Sequence, residues 1–285
     1  MRRSMVSALV ALLAPAAVLA QPEAPKVNWV EGPKTVDLGQ VAQLALPEGY
    51  IFLNAEDARA MQEAMGNVPD GREVGLVAPA SNDEHWFVIF DYNEVGHIRD
   101  DEKDKIDANA LLGSIREGTE EANKVRVKKG ASAIHVVGWQ QPPKYDDRTH
   151  NLTWGIIGQD DGGDRVVNFN VRLLGRKGVI SATLVDDETN IVAARPHLDR
   201  ILGSFSYKQG SRYAEFRPGD KLAEYGLMAL VAGGAGAVAA KTGLLAALFK
   251  VLAKGGKAIV LLVAAAVAGL VKLLKKLFQN DTTAP

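Results

Sequence analysis

The end of the chain constrains its fold more than any other stretch. No charged residue occurs from Tyr225 to Ala240, and none from Ala258 to Val271. A water-soluble domain has no core left for so much apolar surface at its end, so the block predicts membrane-embedded helices over 225–278 and a tail over 279–285. The second uncharged run is short, because 14 residues rising ~1.5 Å each reach only ~21 Å against a hydrocarbon core of ~30 Å. In a hairpin, the two runs cross in opposite directions and leave Lys250, Lys254 and Lys257 in a cytoplasmic loop. With one span, every later lysine stays in the cytoplasm, and L-V-K-L-L-K-K-L-F becomes a basic amphipathic helix on anionic lipid. Charge favours one span and apolarity two; the expectation is two embedded segments. Gly233 with Ala237, and Gly236 with Ala240, sit four apart and let another helix approach closely. The expected partners are therefore the lipid bilayer and other membrane proteins.

The opposite end begins M-R-R and runs apolar from Ala8 to Ala20, closing on V-L-A. A basic start, a short apolar run and small residues at the cut predict a signal peptide over 1–20. A flexible lead, Q-P-E-A-P-K, follows over 21–26. The chain has no cysteine, which excludes disulfides and a lipidated-cysteine anchor. The exported domain must therefore stand on its own core, for which about 200 residues is ample. Of the net charge of −1, the eight lysines after Asp220, set against Glu224 and Asp281, contribute +6 and the leader +2, which leaves −9 over 21–220. An acidic exported domain on a basic membrane tail follows the positive-inside tendency and argues against nucleic acid as a partner. The expected location is the inner membrane, with the domain at 27–207 in the periplasm and a juxtamembrane segment at 208–224.

Strand signals dominate the exported part. Thr35–Leu38, Val41–Leu46, Val74–Ala78 and Trp86–Tyr92 read as strands, the last apolar on both faces at its start and therefore central in a sheet. Asn93-Glu94 is expected to turn it into a hairpin with Val95–Arg99. Ile134–Trp139 reads as a strand broken at Gln141-Pro142-Pro143. Asn151–Gln159, Val166–Leu174 and Val179–Val185 form an antiparallel meander. Its middle strand alternates strictly, with Val167, Phe169, Val171 and Leu173 on one face and Asn168, Asn170 and Arg172 on the other. Helices are expected over Ala55–Met65, from an Asp107 cap to Gly130, and from Pro196 to Gly203. The expected fold class is α+β, a mainly antiparallel sheet with packed helices, followed by a C-terminal transmembrane helical region. The closing order of strands and helix is similar to the sheet-and-helix fold of the photosystem accessory proteins, a likeness of pattern that carries no function.

Chemistry is harder to read. The acidic run Asp100, Asp101, Glu102, Asp104, Asp107 is interrupted by lysines and lacks the glycine of a calcium loop, so it reads as a solvated approach to a helix. D-D-G-G-D at 160–164 is ordinary turn chemistry. The five histidines show no H-x-x-x-H spacing, there is no G-x-S-x-G elbow, and L-G-R-K-G is too short for a phosphate loop. No catalytic residue, metal ligand or cofactor is assigned. The best binding candidate is Trp139, Tyr145 and Trp154 with Asn168, Asn170 and Arg172, since aromatics beside amides and one arginine suit a carboxylate, a sugar or a peptide.

G-P at 32, L-P-E-G at 46, I-D-A-N-A-L-L at 106, G-T-E-E-A-N at 118, P-K-Y-D at 143, L-T-W at 152, L-G-R-K-G-V at 174 and Y-A-E-F-R-P-G-D-K at 213 together resemble the domain of unknown function 2167 family, predicted membrane-anchored bacterial proteins. The resemblance runs from about Trp29 into the tail. It implies a bacterial envelope protein with an exported domain and a membrane-embedded C-terminus, and it supplies no catalytic residues. The leading reading is a non-catalytic envelope protein whose exported domain binds a partner or small ligand. The alternatives are an envelope hydrolase using carboxylates and a subunit of a membrane transport or secretion assembly.

Overall fold

The computed structural model describes residues 25–232, apart from 66, 68, 82, 129 and 131. The leader and the membrane segments expected beyond 232 lie outside these residues. Among the described residues, no helix is long and apolar enough to cross a membrane.

The chain runs β1 (Trp29–Glu31), β2 (Lys34–Leu38), β3 (Ala42–Leu46), β4 (Tyr50–Leu53), α1 (Ala55–Ala64), β5 (Glu73–Pro79), β6 (Phe87–Asn93) and α2 (Ala108–Lys128). It continues through β7 (Ile134–Asp146), β8 (Asn151–Asp160), β9 (Arg165–Leu174), β10 (Val179–Asp187), α3 (Ile191–Gly203), β11 (Phe205–Tyr207) and α4 (Leu227–Val231). Eight strands form one antiparallel sheet in the order β1-β4-β5-β6-β10-β9-β8-β7, and β11-β3-β2 form a small second sheet. The fold is α+β.

The alternation of β9 decides which face is which. Val167, Phe169, Val171 and Leu173 enter the main core with Val88, Phe90, Ile180 and Leu184 of the large sheet, Leu38 and Leu44 of the small sheet, and Leu198 and Ile201 of α3. The opposite face is covered in two parts. α1 packs over β4 and β5 around Leu53, Ala58, Leu76 and Ile89. α2 and α4 close over Leu152, Trp154 and Ile156 of β8. Asp107 caps α2 as its sequence predicts, its Oδ1 accepting the backbone N–H groups of Asn109 and Ala110 at 3.0 Å each. Along α2, Leu111 is buried, Leu112 and Ile115 are half-buried and Ala122 is exposed. The helix lies over the sheet edge without sealing it.

Four expectations fail for local reasons. Val95–Arg99 forms no hairpin with β6, because β6 already has β5 and β10 as neighbours, and Gly96, at φ 104°, turns the chain out of extended geometry. What remains is a single parallel bridge between His97 and Leu222. β7 does not stop at Gln141-Pro142-Pro143. It is an edge strand whose pairing with β8 shifts register at Gln141/Lys144, where a proline forfeits no ladder bond. α3 begins at Ile191, so Pro196 lies inside it rather than opening it. Finally, the stretch expected to open the membrane region packs on the domain. Leu227, Leu230 and Val231 are buried with Ile98, Leu111 and Trp154, and the Met228 N–H donates to Glu102 Oε1 at 3.1 Å. The second face of the sheet offers these apolar side chains a place that the sequence alone does not reveal.

Candidate functional site

α2 is hydrogen-bonded along one flank to the edge strand. Arg116 donates to the carbonyls of Val136 and Val137 at 3.2 and 2.7 Å. Asn123 exchanges bonds with the backbone of Ile134 at 2.8 and 2.9 Å, and Trp139 Nε1 donates to Ala108 O at 3.2 Å. The other flank stands away from the sheet. Between it and strands β7, β8 and β9 lies a cleft of ≈ 1010 Å³. Ile134, Val136, Ile156 and Val166 line its sheet side, Ile115, Gly118 and Ala122 its helix side, and Leu230, Val231 and Ala232 close one end.

The polar face of β9 forms the floor. Asn168 is exposed, while Asn170 is buried and internally satisfied: its Nδ2 donates to Asn168 O at 3.0 Å and its Oδ1 accepts from Thr183 Oγ1 at 3.2 Å. Arg172 is different. Its guanidinium carbon lies 4.7 Å from the centre of the Trp154 ring, and its Nη1 is enclosed without a hydrogen-bond partner. Strand register places Arg172, Ser181, Asp91 and Glu73 in one row across β9, β10, β6 and β5. Burial pushes Asp91 up to about 6 against the pull of Arg172, and burial pushes Arg172 down to about 10 against the pull of Asp91. Desolvation thus outweighs attraction for both groups, and no ion pair forms between them among the described residues. Glu73 is buried but satisfied, accepting from the backbone N–H groups of Asp70 and Gly71 at 2.8 and 3.0 Å.

Four of the six residues singled out in the sequence therefore meet: Trp154, Asn168, Asn170 and Arg172 all line the cleft. Trp139 and Tyr145 do not. Trp139 is half-buried beneath the start of α2, and Tyr145 donates to Asp100 Oδ2 at 2.8 Å beside His150. Strand register keeps both in step with β9, Trp139 in the row of Ile156 and Asn168 and Tyr145 in the row of Leu152 and Arg172; what separates them from the cleft is their engagement elsewhere, with Ala108 O and with Asp100. Sequence reasoning missed Asp91, although a carboxylate inside W-F-V-I-F-D-Y, a strand otherwise apolar, was a visible signal. It also missed Gly118, whose added Cβ would meet nothing within 4 Å, and no sequence signal marks that position.

Apolar walls, one enclosed cation and a wide mouth make an arrangement suited to holding a molecule. The hydroxyls on its helix wall, Ser114 and Thr119, donate back to Ala110 O and Ile115 O at 3.0 and 2.8 Å.

The solved structures to which the chain has fold-level similarity include two, each weakly similar. The solution structure of cyanobacterial PsbP from Synechocystis sp. PCC 6803 is 13% identical with a TM-score of 0.36, over 69% of this chain and 99% of that one. The Ran-binding protein Mog1p of Saccharomyces cerevisiae is 14% identical with a TM-score of 0.34, over 67% of this chain and 100% of that one. At these values neither carries an argument about this chain. No curated protein matches it. The family described as "Protein of unknown function (DUF2167)" matches residues 30–267, most of the sequence including nearly all of the large sheet, and the chain belongs to that family.

Proposed function

We propose that this chain is a non-catalytic binding protein of the bacterial envelope, tethered to the inner membrane by its apolar tail, and that the cleft beside α2 receives a partner or small ligand. One observation carries the reading: Arg172 sits under an open cleft with an enclosed Nη1 that bonds to nothing. Leaving a buried polar group unsatisfied costs roughly 1–3 kcal/mol, and more for a charged one, so a fold that retains such a group is better explained by a ligand that completes it. The uncharged residues that follow Ala232 support the tether, and Ala232 itself lines the cleft. A tether leaving from that point would hold the cleft near the bilayer.

Gly118→Phe tests the reading. The glycine faces the cleft from mid-helix and a Cβ added there meets open space, so a phenylalanine side chain starts into the cleft, and replacing a helical glycine favours the helix by roughly a few tenths of a kcal/mol. Native mass spectrometry of the full chain extracted from its own membranes is expected to show a bound species on the native protein that the variant lacks. The same species on both chains, or none on either, would count against the reading.

A further inference from the structure

Resting on the cleft as a binding site, we infer that its ligand is an amphiphile with a singly charged carboxylate head: the head meets Arg172, and an aliphatic body lies along the walls. The head follows from the cation. A guanidinium offers a planar fork of donors that matches a carboxylate in a bidentate pair, and Arg172 has no other partner for Nη1. Trp154 under the guanidinium holds it in place. The limit of one charge follows from the surroundings. Asp91 shares the row with Arg172, and the two other arginines nearby are already engaged, Arg72 by Asp70 and Arg126 by the Ser132 carbonyl, so a second negative charge on the head would be set toward that carboxylate.

The body follows from the walls. Ile115, Val136, Ile156, Leu230 and Val231 offer no hydrogen bonds from their side chains, whereas a sugar of similar size would need partners all round. Asn170, the buried amide, is already spent on Asn168 and Thr183. The orientation follows from the rim. Glu117 is exposed at the helix side of the cleft, while Glu121 is paired with Lys124, so the mouth offers an anionic head no free cation on that side and Arg172 offers one. The volume of ≈ 1010 Å³ is at the upper end of the about 300–1,000 Å³ usual for small-ligand sites, room enough for an extended chain.

The test uses the full chain held in amphipol, with displacement of a dansyl-labelled undecanoate as the readout and the Gly118→Phe chain as background. Dodecanoate is expected to displace the probe at concentrations roughly tenfold or more below those of dodecanol, the factor that one charge-assisted hydrogen bond supplies. On Arg172→Leu, acid and alcohol should become equal within about twofold. Equal potency of acid and alcohol on the native chain, both abolished by Gly118→Phe, would overturn the carboxylate head and leave the cleft as a binding site. Dodecyl phosphate binding more tightly than dodecanoate would overturn the single-charge assignment. Displacement by either compound that Gly118→Phe leaves unchanged would overturn the cleft itself. The comparison of acid with alcohol on the native chain decides the matter even if Arg172→Leu fails to fold.

Discussion

Asn in place of Asp91 makes this protein more stable above neutral pH. Asp91 faces the row that contains Arg172, and desolvation raises its carboxyl to about 6 from an ordinary 3.8. A carboxyl with a raised pKa in the folded state binds its proton more tightly there than in the unfolded chain. Its protonation therefore stabilises the fold fully below about pH 4, and that contribution is lost as pH climbs through about 6. Two pKa units correspond to about 3 kcal/mol at most, and partial hydration of a group that is not fully enclosed reduces this to about 1–3 kcal/mol. Asparagine keeps the shape and never ionises. Urea denaturation at about pH 8 should show Asp91→Asn ahead by that amount, with the advantage shrinking through pH 6 and closing near pH 4. A variant less stable than the native chain at pH 8 would mean that attraction to Arg172 exceeds the cost of burial, and the row would have to be read as an ion pair.

Phe169→Ala is expected to have the largest effect of any single truncation in the sheet. Phe169 is fully buried on β9, opposite Gly155 on one neighbour and Leu184 on the other. Gly155 leaves room for the ring, since a Cβ there would lie 3.1 Å from Phe169 Cδ2. On the α3 side the Arg195 guanidinium carbon lies 3.3 Å from the ring centre, and Arg195 Nε is itself enclosed without a partner. Removing the ring leaves a cavity and strips Arg195 of its stacking surface. The expected loss is about 3–5 kcal/mol by chemical denaturation. A loss below about 1 kcal/mol would show that the main core does not close over β9.

These two residues also show how far the sequence could be read. Phe169 was placed correctly from alternation alone, because a period of two on a strand with one apolar face admits one register. The same alternation sent Asn168, Asn170 and Arg172 to a common face, and they are together in the fold. Trp139 and Tyr145 were grouped with them as aromatics beside amides and one arginine, and strand register does set them in the rows of Asn168 and Arg172. Their hydrogen bonds to Ala108 O and Asp100 Oδ2, made with segments that no local pattern brings to that edge, hold them outside the cleft. Asp91 was overlooked for a related reason: its significance comes from a row built across four strands distant in sequence. The opening turn of the apolar tail was assigned to lipid because its composition fits lipid, yet Leu227, Leu230 and Val231 fit the underside of α2 as well. Apolar surface specifies burial and leaves the burying partner open.

The central claim is that the cleft between α2 and the sheet is occupied when the protein works. Hydrogen exchange tests it most directly, comparing the full chain as isolated from its own membranes with the Gly118→Phe chain isolated the same way. The account predicts slower exchange in the native chain across 114–126 on α2, 154–158 on β8 and 166–172 on β9, with β2, β3 and α3 on the far face unchanged. Equal exchange in those cleft segments, or a difference confined to the far face, would contradict it.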